Sequence, residues 1–248
     1  MIPVDLSKID TWRREFVART GLGTSAYQIT ARSPWPSELL ALHLIGADRS
    51  VQAWLEGGTY HGQAAEVLAH ANPHATMTSV EIDAGIAEVA RARLAPLAPR
   101  VQVVVGDGRD AIMAISDQLQ VPTGVFLDGP KGFDAAILTH LLIAKRPAVQ
   151  FVGCHDMSLS VPGRAVPARA ALEELGRYEP HLWTFWATDD PEYVAWARDL
   201  DEGLHAAHVT EDQRSGWRPY ARFAAGQPTL ETRSYGPTVS FLIRARSA

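Results

Sequence analysis

The 248 residues, 46% hydrophobic and 21% charged, suffice for one substantial core, and the formal net charge of −5 gives no overall drive toward nucleic acid. No run approaches the roughly 20 apolar residues of a membrane span, so neither nucleic acid nor a membrane is an expected partner. Cys154 is the single cysteine, which excludes an intrachain disulfide, and MIPVDLSKIDTWRREF carries no apolar leader, so a cytoplasmic location is expected.

In chain order, residues 5–19 and SPWPSELLALHLIGA have helical character, with Ser37 the expected N-cap of the second helix. Residues 1–50 thus read as an N-terminal helical cover. From residue 51 to 248 short β-branched runs alternate with helical stretches. VQAWLEGG (51–58), ATMTSVEID (75–83), VQVVVGD (101–107), TGVFLDG (123–129) and AVQFVGCHD (148–156) are the expected strands of this series. GQAAEVLAHA, AGIAEVARARLAPL, GRDAIMAISDQL and FDAAILTHLLIAKR are the helices between them. A PARAALEELGRYE helix then leads to LWTFWATDD (182–190), and PTVSFLIRA (237–245) alternates like a closing strand. The insertion at about 191–236 holds one helical pattern, PEYVAWARDLDEGLHAA, and the aromatic DQRSGWRPYARFAAGQP; a lid and a peripheral cover both fit it.

Strands that alternate with helices demand a parallel sheet covered on both faces. The expected fold is therefore α/β, Rossmann-like and doubly wound, a mostly parallel seven-stranded sheet whose last strand runs antiparallel.

Ligands of such sheets bind beyond the carboxyl ends of the strands. Each of the first five strands ends in an acid: Glu56, Glu81 with Asp83, Asp107, Asp128, and Asp156 beside His155. One strand-end aspartate is ordinarily a helix cap; five together point to a site. In EGGTYHG, Gly58 and Gly62 bracket a turn that opens a helix and lets a ligand approach backbone N–H groups without a Cβ in the way. The spacing departs from the G-x-G-x-x-G of dinucleotide binders, and a carboxylate at Glu56 would repel a diphosphate. A cofactor carrying positive charge suits the loop better.

E-x-G-x-x-x-G at Glu56, Gly58 and Gly62, the acid in SVEID, the GDGRDA segment and FLDGPKG together resemble the class I S-adenosylmethionine (SAM)-dependent methyltransferases, most closely the small-molecule O-methyltransferases of the caffeoyl-CoA and catechol type. The likeness runs from about Ser37 to about Asp156. It implies SAM as cofactor, with Glu56, Gly58, Tyr60, Gly62 and His61 along the methionine moiety. Glu81 would accept both ribose hydroxyls, and Asp107 with the Gly108 backbone would meet the adenine, while Asp83 reads as a helix cap.

The fourth and fifth strand ends would then face methyl transfer, an in-line displacement in which the protein aligns the partners and removes the acceptor's proton. The metal-dependent branch of the family implies an aspartate after the fourth strand, a second two residues on, and an Asp-Asn pair after the fifth. Here Asp128 matches the first, Pro130 departs from the second, and His155-Asp156 replace the pair. Asp128 and Asp156 are thus candidate ligands for Mg²⁺ or another divalent cation. In the metal-free alternative His155 or His61 takes the proton, oriented by Asp128 or Asp156.

Lys131, Arg164 and Arg218 are either solvated loop residues or contacts to an anionic substrate group, and Trp217, Tyr220 and Phe223 either wall an acceptor ring or anchor the insertion. The expected activity is methyl transfer to a small molecule at a hydroxyl oxygen, and a homodimer is compatible with it. Two alternatives stay open: a same-fold enzyme with a non-methylating reaction, and a non-catalytic subunit that binds SAM or a nucleoside.

Overall fold

A computed structural model of the chain describes residues 9–22, 34–157, 165–190, 192–197, 200–201 and 238–245. The alternation read from the sequence becomes β1 (Ala53–Gly57), α3 (Gln63–Ala71), β2 (Thr76–Glu81), α4 (Ala84–Leu94), β3 (Val101–Val105), α5 (Gly108–Asp117), β4 (Thr123–Leu127), α6 (Phe133–Lys145) and β5 (Val149–Cys154). Helix α7 (Ala165–Tyr178), β6 (Trp183–Ala187) and β7 (Ser240–Arg244) complete the sheet, and α1 (Ile9–Thr20) and α2 (Pro36–Asp48) precede it. Residues 192–197 are helical as well.

The seven strands lie in the order β3-β2-β1-β4-β5-β7-β6. The first five are parallel, and β7 pairs antiparallel with both β5 and β6. The expected Rossmann-like sheet with an antiparallel last strand is present. The order reverses between β1 and β4, and the carboxyl end of such a switch point is where open α/β sheets bind ligands.

Strands β1 and β4 are buried at every position, as the central strands of a sheet with two covered faces must be. On one face Trp54, Phe126, Phe151 and Phe241 pack against α1, α2, α3 and the 192–197 segment; on the other Leu55, Val125, Leu127 and Val152 pack against α5, α6 and α7. Ten of the thirteen residues of α2 are buried, so this helix belongs to the core rather than lying over it. Its start also differs from expectation: Trp35 is the N-cap, and Ser37 lies in the first turn, where its N–H and hydroxyl donate to Asp201 at 2.9 and 2.6 Å.

The insertion at 191–236 falls mostly outside the described residues, as do Arg164, Trp217, Arg218, Tyr220 and Phe223.

Candidate active site at the carboxyl edge of the sheet

The EGGTYHG loop leaves β1 through a run of left-handed backbone: φ is +85° at Gly58, +47° at Tyr60 and +77° at Gly62. Only glycine adopts the first and last without cost, and a tyrosine at positive φ is a local strain of the sort that gathers at ligand sites. Gly58 has a second reason to be glycine. A Cβ there would lie 2.7 Å from the Gly129 nitrogen and 2.9 Å from the Asp128 carbonyl carbon. The loops after β1 and β4 therefore touch backbone to backbone, and Gly57 O accepts from the N–H of both Asp128 and Gly129 at 2.8 Å.

Glu56, next to last on β1, is 1% exposed. The Ser79 hydroxyl donates to it and is itself hydrogen-bonded to Thr59. Burial, opposed by that hydrogen bond but reinforced by Asp128 and Glu81, pushes the carboxyl up to about 8. Glu81, also buried, accepts from the Tyr60 N–H at 2.8 Å and the Asp83 N–H at 3.1 Å, one on each oxygen. A carboxylate has about four acceptor directions, so two amides leave room for further donors while fixing the group. Asp83 caps α4 as expected, accepting from the Ile86 N–H at 3.0 Å. Asp107 caps α5 through the N–H groups of Arg109 and Asp110, and those amides outweigh its slight burial and lower its pKa. Gly108 opens that helix, 3.0 Å from the Gly129 carbonyl oxygen for an added Cβ. His61 stacks on Tyr60 with ring centroids 3.9 Å apart, and among the described residues no hydrogen bond or ion pair joins it to the groups after β4 and β5.

Those groups form a cluster. The Lys131 ammonium donates to Asp128 Oδ1 and to Asp156 Oδ2, the latter at 2.6 Å, and lies 3.1 Å from His155 Nδ1. His155 Nδ1 is 2.7 Å from Asp128 Oδ1, and its Nε2 is 3.1 Å from Glu38 Oε2. Both ring nitrogens lie within hydrogen-bond distance of carboxylates, an arrangement that favours a proton on each. Burial alone would lower His155, but Asp128 and Glu38 raise it well above 6.5 against the opposition of Lys131. Lys131 and His155 share the Asp128 and Asp156 carboxylates. Burial would raise Asp128; His155 first and then Lys131 override it and bring the carboxyl down to about 2. Asp156 reaches the cluster from a left-handed position, φ +57°, with its N–H on Thr238 Oγ1.

Glu38 was not foreseen. It is fully buried and accepts from Trp35 N at 2.7 Å, from the backbone N–H and hydroxyl of Thr238, and from His155. In the sequence it occupies an ordinary capping position at the third residue of a helix, which conceals the further partners. Ser79, Thr59 and Ile82, the last 70% exposed beside Glu81, are also residues that strand-end reading passed over. Lys131, read only as a solvated residue or an anion contact, lies at the centre of the cluster.

One oxygen or nitrogen each from Asp128, His155 and Asp156 lie within 4.8 Å of one another, close enough to share a cation. Lys131 stands among them, so a divalent ion does not fit beside its ammonium. The glycine loop does fit SAM: it has left-handed backbone, an acid without a cationic partner among its described contacts, and a fixed carboxylate at the neighbouring strand end.

No family model and no curated protein sequence matches the chain. Among solved structures, the O-methyltransferase from Bacillus cereus in complex with SAH aligns over 99% of this chain and 93% of its own, at 18% identity and a TM-score of 0.54. The O-methyltransferase TomG from Streptomyces achromogenes, in complex with SAM, aligns over 76% of this chain and 85% of its own, at 22% identity and a TM-score of 0.49. The fold is that of the class I SAM-dependent methyltransferases. Among the described residues no helix is long and apolar enough to cross a membrane.

Proposed function

We propose that the chain is a SAM-dependent methyltransferase that acts on a small molecule, at a hydroxyl oxygen. The observation that carries the reading is the loop after β1, where left-handed Gly58, Tyr60 and Gly62 follow the buried Glu56 and the Tyr60 N–H donates to the buried Glu81. Glu56, Gly58, Tyr60 and Gly62 would line the methionine end, Glu81 would take the ribose hydroxyls through its remaining lone pairs, and Asp107 and Gly108 would meet the adenine. Exposed Ile82 offers an apolar surface next to the ribose position. SAM supplies an electrophilic methyl group on a sulfonium.

The acceptor side is the cluster after β4 and β5. Its ammonium and Asp156 are the reachable members, with side chains 45% and 39% exposed. An acceptor hydroxyl beside them donates to the Asp156 carboxylate while Lys131 stabilises the negative charge that develops on its oxygen. His155, with both nitrogens on carboxylates, holds Asp128 in place and supports the cluster from beneath. His61, in the cofactor loop, remains the alternative proton acceptor. Acidic hydroxyls such as phenols suit a site that stabilises an oxyanion more than one that removes a proton from a neutral alcohol.

Calorimetric titration with SAM, SAH and NAD tests the cofactor: SAM and SAH should bind, and binding of NAD alone would overturn the reading. Glu81→Ala should remove SAM binding, whereas Lys131→Met should leave binding within about threefold and lower turnover with a phenol panel by about a hundredfold or more. Intact SAM binding with no methylation across phenols, sugars and amines would favour the non-catalytic subunit instead.

A further inference from the structure

We infer that Lys131 is a tethered counter-ion that fills the cation position between Asp128, His155 and Asp156, so that the chain excludes divalent metal while this lysine is in place. The inference stands on the geometry of the cluster and not on the methyl-transfer reading.

Asp128, Asp156 and His155 converge from the ends of two adjacent parallel strands, and their ligand atoms lie within 4.8 Å of one another. Two carboxylates and an imidazole at that spacing form a donor set that suits Mg²⁺ or Mn²⁺. The ammonium, however, touches the same atoms: Asp128 Oδ1, Asp156 Oδ2 at 2.6 Å and His155 Nδ1 at 3.1 Å. A divalent ion would have to sit about 2.0–2.6 Å from those atoms, which is the volume Lys131 Nζ takes. The two cations exclude each other.

The imidazole adds a second obstacle. A metal ligand must turn a lone pair toward the ion, yet Nδ1 lies 2.7 Å from Asp128 Oδ1 and Nε2 lies 3.1 Å from Glu38 Oε2, both hydrogen-bonding distances. Glu38 is fully buried and further fixed by Trp35 and Thr238, so the ring cannot turn without breaking that set. Metal entry would require expelling the ammonium and reorienting or stripping Nδ1. With Lys131 removed, Asp128 and Asp156 lose the ammonium they share, and a divalent ion that takes its position then has only the Nδ1 proton of His155 to displace, as metals do when they bind imidazole.

Manganese binding to the full chain tests this, read by the loss of the free Mn²⁺ electron paramagnetic resonance signal. The wild type should leave Mn²⁺ free up to about millimolar concentration, whereas Lys131→Ala and Lys131→Met should each bind one ion per chain at least tenfold more tightly. Adding Asp128→Asn to either variant should abolish the gain. Two variants are used because the methionine keeps the side-chain stem, and far-ultraviolet circular dichroism of each confirms the fold. One tightly bound Mn²⁺ in the wild type would overturn the inference, and so would two folded variants that bind none. Neither result bears on whether SAM binds, so failure here is distinguishable from failure of the proposed function.

Discussion

At the scale of single residues, the strongest pH handle is Glu56, whose hydrogen-bond donor is the neutral Ser79 hydroxyl and whose neighbouring charges, Asp128 and Glu81, are both negative. The folded chain keeps a proton on this carboxyl up to about 8, whereas an unfolded chain releases it near 4.5. Between those values the native state binds more protons than the unfolded one, so stability falls as pH rises through the window, by up to about 1.4 kcal/mol for each unit of separation. His155 acts in the same direction: its raised pKa contributes stability that is complete below 6.5 and is lost as pH climbs through the folded value. Glu56→Gln keeps an acceptor for Ser79 and removes the titration. Thermal melts at pH 5.5 and 8 should therefore differ less in this variant than in the wild type, by several degrees; equal differences would mean that Glu56 is ionised in the fold. Gly58→Ala tests the loop itself. Its φ of +85° and the 2.7 Å approach to Gly129 N leave no place for a methyl group. The change should cost about 1–3 kcal/mol in urea unfolding and remove SAM binding measured by calorimetry.

At the scale of elements, the strands and helices from residue 51 onward were legible because each carries its own periodicity and because strand ends carry the acids. The cofactor side of the site followed from that rule: Glu56, next to last on β1, pairs in register with Ser79, two residues before Glu81 at the end of β2, so both acids lie at the same end of adjacent strands. The acceptor side was legible in its members but not in its wiring. Glu38 lies 117 residues from His155 and 200 from Thr238, and no local pattern distinguishes a capping glutamate from one that also ties a helix to two strand ends. The same blindness made α2 look like a cover, since an apolar helix reads alike whether it flanks a core or belongs to it. Two substitutions separate the roles. Asp83→Ala removes an ordinary cap and should cost about 1 kcal/mol in urea unfolding. Glu38→Ala strips a buried carboxylate from His155, Trp35 and Thr238 and should cost about 3–5 kcal/mol, with loss of the imidazolium signal of His155 in NMR titration. A Glu38 variant no worse than the Asp83 variant would reduce the network to a cap.

At the scale of the whole molecule, the alternating pattern dictates parallel strands with crossovers but is silent on where the last strand inserts. Its antiparallel sense was expected; its place was not, because insertion between β5 and β6 is decided by long-range packing. That place matters. Strand β7 supplies the sheet pairing of β6, so β6 joins the sheet through it, and Phe241 stacks on Trp186 while packing on Phe151. Thr238, at its entrance, donates to Glu38 and to the Asp156 amide, so the strand also braces the acceptor cluster. If β7 were an edge strand, ending the chain at residue 237 would remove a margin and leave the rest folded. As an internal strand its loss exposes the β5 edge, frees β6 and takes two buried hydrogen bonds from Glu38. The shortened chain should therefore lose its near-ultraviolet circular dichroism and its cooperative thermal transition and pass into aggregates on size exclusion. A soluble truncation with a sharp melt and retained SAM binding would show instead that β3-β2-β1-β4-β5 stands as an independent unit, with the final hairpin of the sheet only docked upon it.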